Sequence, residues 1–142
     1  MLTHTRKITI EWGDCDPAGI VYYPRYFEWF DGSTTALFTA AGVSNGVMHN
    51  HYRIVGIPMV DTRATFHIPS KYEEELTIDS TVLEFRRSSF DVRHRIIRHD
   101  GKLAVEGYET RVWTVRDKED PERLRSEPIP AEVIALFQDK TS

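Results

Sequence analysis

Between Lys7 and Trp12, Ile8, Ile10 and Trp12 fall on one side of the chain and Lys7, Thr9 and Glu11 on the other. That alternation predicts a half-buried strand. The period then lengthens. Pro24 suits the first position of a helix, where a missing N–H costs nothing, and Tyr26, Phe27, Phe30, Thr34, Leu37, Phe38 and Ala41 follow at helical spacing as far as Gly42, a natural stop. A face this rich in aromatic and aliphatic residues belongs against a core, with the opposite face less buried. Residues 43–57 carry Asn45, Gly46, His49, Asn50 and His51 and predict a loop with at most a turn of helix.

Four more alternating runs follow: Val60, Thr62, Ala64, Phe66, Ile68; Leu76, Ile78, Ser80, Val82; Phe90, Val92, His94, Ile96; and Tyr108, Thr110, Val112, Thr114. They are joined through Pro69–Glu75, Arg86–Ser89 and Asp100-Gly101, and Asp-Gly is a strong hairpin signal that makes the flanking strands antiparallel. A charged connection, Asp117–Pro130, leads to Ala131–Gln138, where Val133, Ile134, Leu136 and Phe137 suggest a short terminal helix. The expected fold class is α+β: one long helix wrapped by a five-stranded antiparallel sheet, with a short C-terminal helix, in a single domain over residues 1–142. One sheet around one helix leaves strand edges and part of the helix uncovered, so a homo-oligomer is expected.

Composition narrows the partners. A net charge of −4 with no long block of one sign disfavours nucleic acid, so an anionic ligand would need a local basic patch. No segment reaches the roughly 20 apolar residues needed to span a bilayer, nor the form of a signal peptide, which leads us to expect no membrane partner. The single cysteine, Cys15, has no partner for an internal disulfide and fits a reducing compartment, with the cytoplasm as the expectation.

The stretch GDCDPAGIVYYPRYFEWF, residues 13–30, concentrates the candidate chemistry. Asp14 and Asp16 flank Cys15 and disfavour its thiolate, so a cysteine nucleophile is not expected. Neither a His-x-x-x-His nor a Cys-x-x-Cys pair is present, and no metal or other cofactor is expected. Asp16, restricted to extended backbone by Pro17, precedes a turn through Ala18-Gly19 back towards the helix start, whose dipole favours an ionised carboxylate. The same helix end can stabilise the oxyanion that forms when a carbonyl is attacked. Carboxylate plus oxyanion donor is a minimal acyl-transfer site. The competing reading, Asp14 and Asp16 as turn caps, stays open on residue types alone.

This stretch, together with GIP at 56–58, EFRRSSF at 84–90 and ERLR at 122–125, resembles the hotdog-fold acyl-CoA thioesterases, closest to the Asp-dependent 4-hydroxybenzoyl-CoA type, over nearly the whole chain. The resemblance implies hydrolysis of a small aryl or short acyl-CoA thioester to free acid and CoA. It implies Asp16 as nucleophile or general base and the Tyr23 backbone N–H as the group polarising the thioester carbonyl. Asp31 then lies near the acyl group, and Arg86, Arg87, Ser89 and, further off, Arg125 lie near the phosphates of coenzyme A. Dimers pairing into tetramers, with active sites between subunits, are also implied. Residues 43–55 lack a tryptophan found in the acyl-pocket loop of the 4-hydroxybenzoyl type, and Ile57 replaces a polar residue. Two alternatives remain: a non-catalytic acyl-CoA-binding hotdog protein, and the short-chain thioesterase associated with the Tol–Pal system, which commonly has histidine where Pro24 stands.

Overall fold

The computed structural model describes residues 1–138. Five antiparallel strands, β1 (Thr3–Thr9), β2 (Met59–Phe66), β3 (Glu75–Phe85), β4 (Ser89–Arg98) and β5 (Leu103–Val112), form one sheet in the order β1-β3-β4-β5-β2. Helix α1 (Pro24–Ala41) lies on this sheet and α2 (Asn45–Asn50) follows it. A small ribbon, β6 (Thr114–Arg116) with β7 (Leu124–Ser126), precedes α3 (Ala131–Phe137). The ribbon falls partly in the charged connection and is not signalled by any apolar alternation.

Helix α1 begins at Pro24 and ends where Gly42 adopts φ +97°, donating its N–H to the Phe38 and Thr39 carbonyls. Its buried side is Tyr26, Phe30, Ser33, Thr34, Leu37, Phe38 and Ala41. Phe27 is only half-buried. Arg6 on β1 grips the helix, Nε donating to Ser33 Oγ at 2.8 Å and Nη2 to the Trp29 carbonyl at 2.8 Å. On β5, Gly107 lies directly under the Phe30 ring, so close that any Cβ there would overlap it. The missing side chain is what lets the helix settle on the sheet.

Two apolar clusters result, one around Tyr26, Phe30, Leu76, Ile78 and Ile96, the other around Leu37, Phe38, Phe90, Trp113 and Phe137. Between them runs a polar layer. On α1 it is Thr34, between Phe30 and Leu37; on β4 it is His94, between Val92 and Ile96.

Two sequence expectations need correction. The first strand starts at Thr3 and ends at Thr9, because Glu11 to Asp14 curls into a 3-10 turn in which Asp14 Oδ2 accepts the Glu11 N–H at 2.9 Å. Trp12 is thereby turned outward, 69% exposed, with its ring edge-on to Tyr72. On β5 the inward residues are Val105, Gly107, Glu109 and Arg111, so the run Tyr108, Thr110, Val112 lies on the outer face. Burial of a glycine and two charged residues inverts the usual signal.

Candidate active site

Asp16 sits in a hairpin-like loop formed by the residues between β1 and α1. Cys15 bridges Val21, the Asp16 N–H donates to the Ile20 carbonyl at 2.9 Å, and the Gly19 N–H returns to the Asp16 carbonyl at 2.9 Å. Gly19, at φ +81°, makes the tight reversal possible. Asp14 fastens this loop to the helix: its carbonyl accepts the Tyr22 N–H at 2.8 Å, and its carboxylate lies 3.7 Å from Nε of Arg25 in the first turn of α1. Val21 also donates to the Ser70 carbonyl, anchoring the loop to the connection before β3.

The Asp16 side chain caps its own turn and leaves one oxygen free among the described residues. Its Oδ1 accepts the Ala18 N–H at 2.9 Å, a turn cap, while Oδ2 has no hydrogen bond among the described residues. Cys15 is half-buried, with its thiol 3.8 Å from the Glu11 carbonyl.

At the helix entrance the Arg25 N–H donates to the Tyr22 carbonyl and the Tyr26 N–H to that of Tyr23. The Tyr23 N–H itself has no acceptor among the described residues. It is a backbone donor at the positive end of an 18-residue helix, with its ring 61% exposed. Beside it opens an apolar cleft of about 200 Å³, walled by Ile20, Val21, Tyr23, Tyr26, Phe66 and Ile68. A free N–H and an apolar cleft thus meet at one end of α1, and the loop that carries Asp16 leads into it.

The other residues expected at the site lie elsewhere on the chain. Asp31 is on α1, its side chain 70% exposed, and accepts from Arg111 Nη2 at 2.7 Å. Arg86 spends its guanidinium locally: Nε on Ser89 Oγ at 2.9 Å, Nη1 on Asp91 and Glu84, and Nη2 on Asp91 at 2.7 Å. The hydrogen bonds to Asp91 hold the Arg86 pKa above its ordinary value and that of Asp91 below the usual carboxylate value. Arg87 is exposed and its side chain makes no hydrogen bond among the described residues. Its carbonyl accepts from Ile129 and that of Ser88 from Trp113, which docks the 86–89 turn beside the β6–β7 region. Arg125, on β7, lines an open groove of about 730 Å³ together with Arg53, Arg116 and Lys118.

Sequence reasoning singled out neither Arg53, Arg116 and Lys118 nor the buried pair Glu109 and Arg111. Arg53 lies far along the chain from Arg116 and Lys118, so only folding makes them a patch. For the buried pair a signal existed: His94 stands in an otherwise apolar run and needs polar company.

Comparison with known proteins bears on the whole chain. The model of the thioesterase-like superfamily matches residues 10–137. The chain belongs to this superfamily. It is 38% identical to the 4-hydroxybenzoyl-CoA thioesterase of Pseudomonas sp. (strain CBS-3) over 137 residues, 93% of this chain and 95% of that protein. A solved structure of a 4-hydroxybenzoyl-CoA thioesterase Asp-to-Asn mutant, complexed with 4-hydroxybenzoyl-CoA, superposes with a TM-score of 0.87 at 36% identity, covering 96% of this chain and 99% of the other. A gentisyl-coenzyme A thioesterase structure gives a TM-score of 0.80 at 27% identity, covering 96% and 100%. The hotdog architecture expected of this thioesterase is therefore the one it adopts. No helix among its described residues is long and apolar enough to cross a membrane.

Proposed function

We infer that this protein hydrolyses an acyl-CoA thioester, with a small aryl or short acyl group, to the free acid and CoA. The observation that carries the reading is the unpartnered Tyr23 N–H at the start of α1, next to the loop that presents Asp16. With the thioester oxygen on that N–H, negative charge developing in the tetrahedral intermediate meets a backbone donor and the helix dipole. Asp16 supplies the second half. As a nucleophile, its oxygen bonds to the carbonyl carbon, the C–S bond breaks, CoA leaves as thiolate, and water cleaves the resulting anhydride. As a general base, it takes a proton from a water that attacks directly. No cofactor enters either route, and CoA is part of the substrate. Label found in Asp16 after a single turnover in ¹⁸O-water marks the nucleophilic route, with water adding to the Asp16 carbonyl of the anhydride.

The apolar cleft beside Tyr23 suits the acyl group, and the groove with Arg53, Arg116, Lys118 and Arg125 suits the phosphorylated nucleotide of CoA. Arg87 joins that cationic set, with Arg86 and Ser89 shaping the turn that carries it. Asp31 follows Tyr23 by eight residues along α1, about 12 Å at the helical rise per residue. In our reading the active site lies between subunits, as the resemblance implies. The free edge of β2, with Met59, Val60 and Phe66 exposed, offers a surface for such pairing into a homodimer or homotetramer. We place the enzyme in the cytoplasm, in keeping with its lone unpaired cysteine.

The turn cap made by Asp16 Oδ1 is what a non-catalytic acyl-CoA-binding protein would also need. Thiol release measured across benzoyl, hydroxybenzoyl, phenylacetyl and short aliphatic CoA esters decides the matter. Turnover of at least one ester is expected; tight binding of CoA esters with no turnover would select the binding protein. Preference for short aliphatic esters alone would favour the Tol–Pal-associated type, against which Pro24 stands.

A further inference from the structure

Arg53, in the segment between α2 and β2, sits in left-handed backbone at φ +59°. Glycine enters that region freely, whereas a residue with a side chain does so at a cost. Its neighbours impose the conformation. The Tyr52 N–H donates to the Val47 carbonyl at 3.2 Å and the Ile54 N–H to the Met48 carbonyl at 3.1 Å, while the Tyr52 ring packs edge-on against Trp113 and Ile54 is buried in the core. With both flanks tied inward, glycine would be the natural residue between them. Nothing within the chain repays the arginine: its side chain is exposed and makes no hydrogen bond or ion pair among the described residues.

That side chain lines the groove of about 730 Å³ together with Arg116, Lys118 and Arg125. The Val55 N–H donates to the Thr114 carbonyl at 2.9 Å and the Thr114 N–H to the Gly56 carbonyl at 3.1 Å, so the segment carrying Arg53 is held against the start of the β6–β7 ribbon. Arg116 spends Nη1 on the Pro121 carbonyl at 2.9 Å, whereas Lys118 and Arg125 make no side-chain hydrogen bond or ion pair among the described residues. Glu127 is the one carboxylate in the lining, and Asp117, beside Lys118, caps its own turn by accepting the Glu119 N–H at 2.9 Å. Four cations against one carboxylate suit a ligand that carries more than one phosphate group.

We propose that Arg53 is a substrate-binding residue that reads the phosphorylated nucleotide of CoA, so that CoA esters are selected over thioesters of pantetheine, which lack the nucleotide. This rests on the thioesterase reading. The resemblance places Arg86, Arg87, Ser89 and Arg125 near the phosphates, and none of these lies on the segment between α1 and β2; Arg53 adds a contact from that segment. Its planar guanidinium can hold a phosphate through two parallel hydrogen bonds. The left-handed backbone is then a local cost retained for binding.

The test compares wild type with Arg53→Gly and Arg53→Gln. We would measure kcat/KM for the best CoA ester of the panel and for the pantetheine ester of the same acid, binding of adenosine 3′,5′-bisphosphate and of ATP by calorimetry, and thermal stability. Both variants should lower the ratio of kcat/KM for the CoA ester over the pantetheine ester about tenfold and weaken bisphosphate binding by a similar factor. Arg53→Gly should melt no lower than wild type, because glycine relieves the backbone; a structural role for the arginine would give the opposite. A ratio unchanged in either variant, a fall in Arg53→Gly alone, or a lower melting temperature for Arg53→Gly would overturn the proposal. So would tighter binding of ATP than of the bisphosphate by wild type, which would assign the groove to a free nucleotide. Absence of turnover on every ester in wild type would instead defeat the thioesterase reading, and bisphosphate affinity undiminished in the variants would then still overturn the role of Arg53.

Discussion

Arg86 and Asp91 form a bidentate ion pair, Nη1 to Oδ2 at 2.9 Å and Nη2 to Oδ1 at 2.7 Å, across the turn between β3 and β4. Two adjacent arginines that look alike in sequence are therefore set to different tasks. Arg86 braces the turn, and Arg87 faces solvent with its donors free for phosphate. Arg87→Ala should raise KM for CoA esters about tenfold with little change in kcat, the mark of lost ground-state binding remote from the chemistry. Arg86→Ala should lower Tm by a few degrees at most, since its ion pairs are partly solvent-screened. Equal KM effects from both variants, with Tm unchanged, would contradict this division.

Gly107 sets the distance between α1 and the sheet. A methyl group there meets the buried Phe30 ring, which is itself sandwiched against His94. Gly107→Ala should cost about 1–3 kcal/mol, the usual range for overpacking a tight core. Chemical denaturation measures it, and a variant as stable as wild type would mean that the helix can shift without penalty.

Burial alone would raise the Glu109 pKa, but the hydrogen bond from His94, the charges of Arg111 and His94, and the Thr34 hydroxyl together lower it from 4.5 to about 2. A folded-state value below the unfolded one means that the unfolded chain takes up the proton first as pH falls. The resulting stability, on the order of 3 kcal/mol, is present above pH 4.5 and is lost between about 4.5 and 2. Glu109→Gln should be less stable than wild type at pH 7, and its stability should fall less steeply across that acid window. Parallel stability curves for the two proteins would show that Glu109 does not provide the slope.

Much of this architecture could be read from the chain. Pro24 and Gly42 bound α1 because both act through local backbone geometry, and Asp100-Gly101 marks the β4–β5 turn for the same reason. The inward faces of β3 and β4 follow the plain alternation of Leu76, Ile78, Ser80, Val82 and Phe90, Val92, His94, Ile96. On β5 that reasoning points outward, since Glu109 and Arg111 are buried only by virtue of partners on other elements. Nothing local reveals those partners. Likewise Asp16 and Tyr23 could be placed on one loop-and-helix entrance from six intervening positions of turn and helix signals, whereas the groove around Arg125 depends on long-range packing of the β6–β7 ribbon.

The proposed hydrolysis turns on Asp16, and the most direct measurement is CoA thiol release by Asp16→Asn against the best ester of the panel, with ester binding measured in parallel. Asparagine retains an oxygen able to cap the Ala18 N–H, so the loop should survive the change. The expected result is a fall in kcat of about a hundredfold or more with binding of the CoA ester preserved. Thiol release at the wild-type rate from a folded Asp16→Asn enzyme would contradict the central claim.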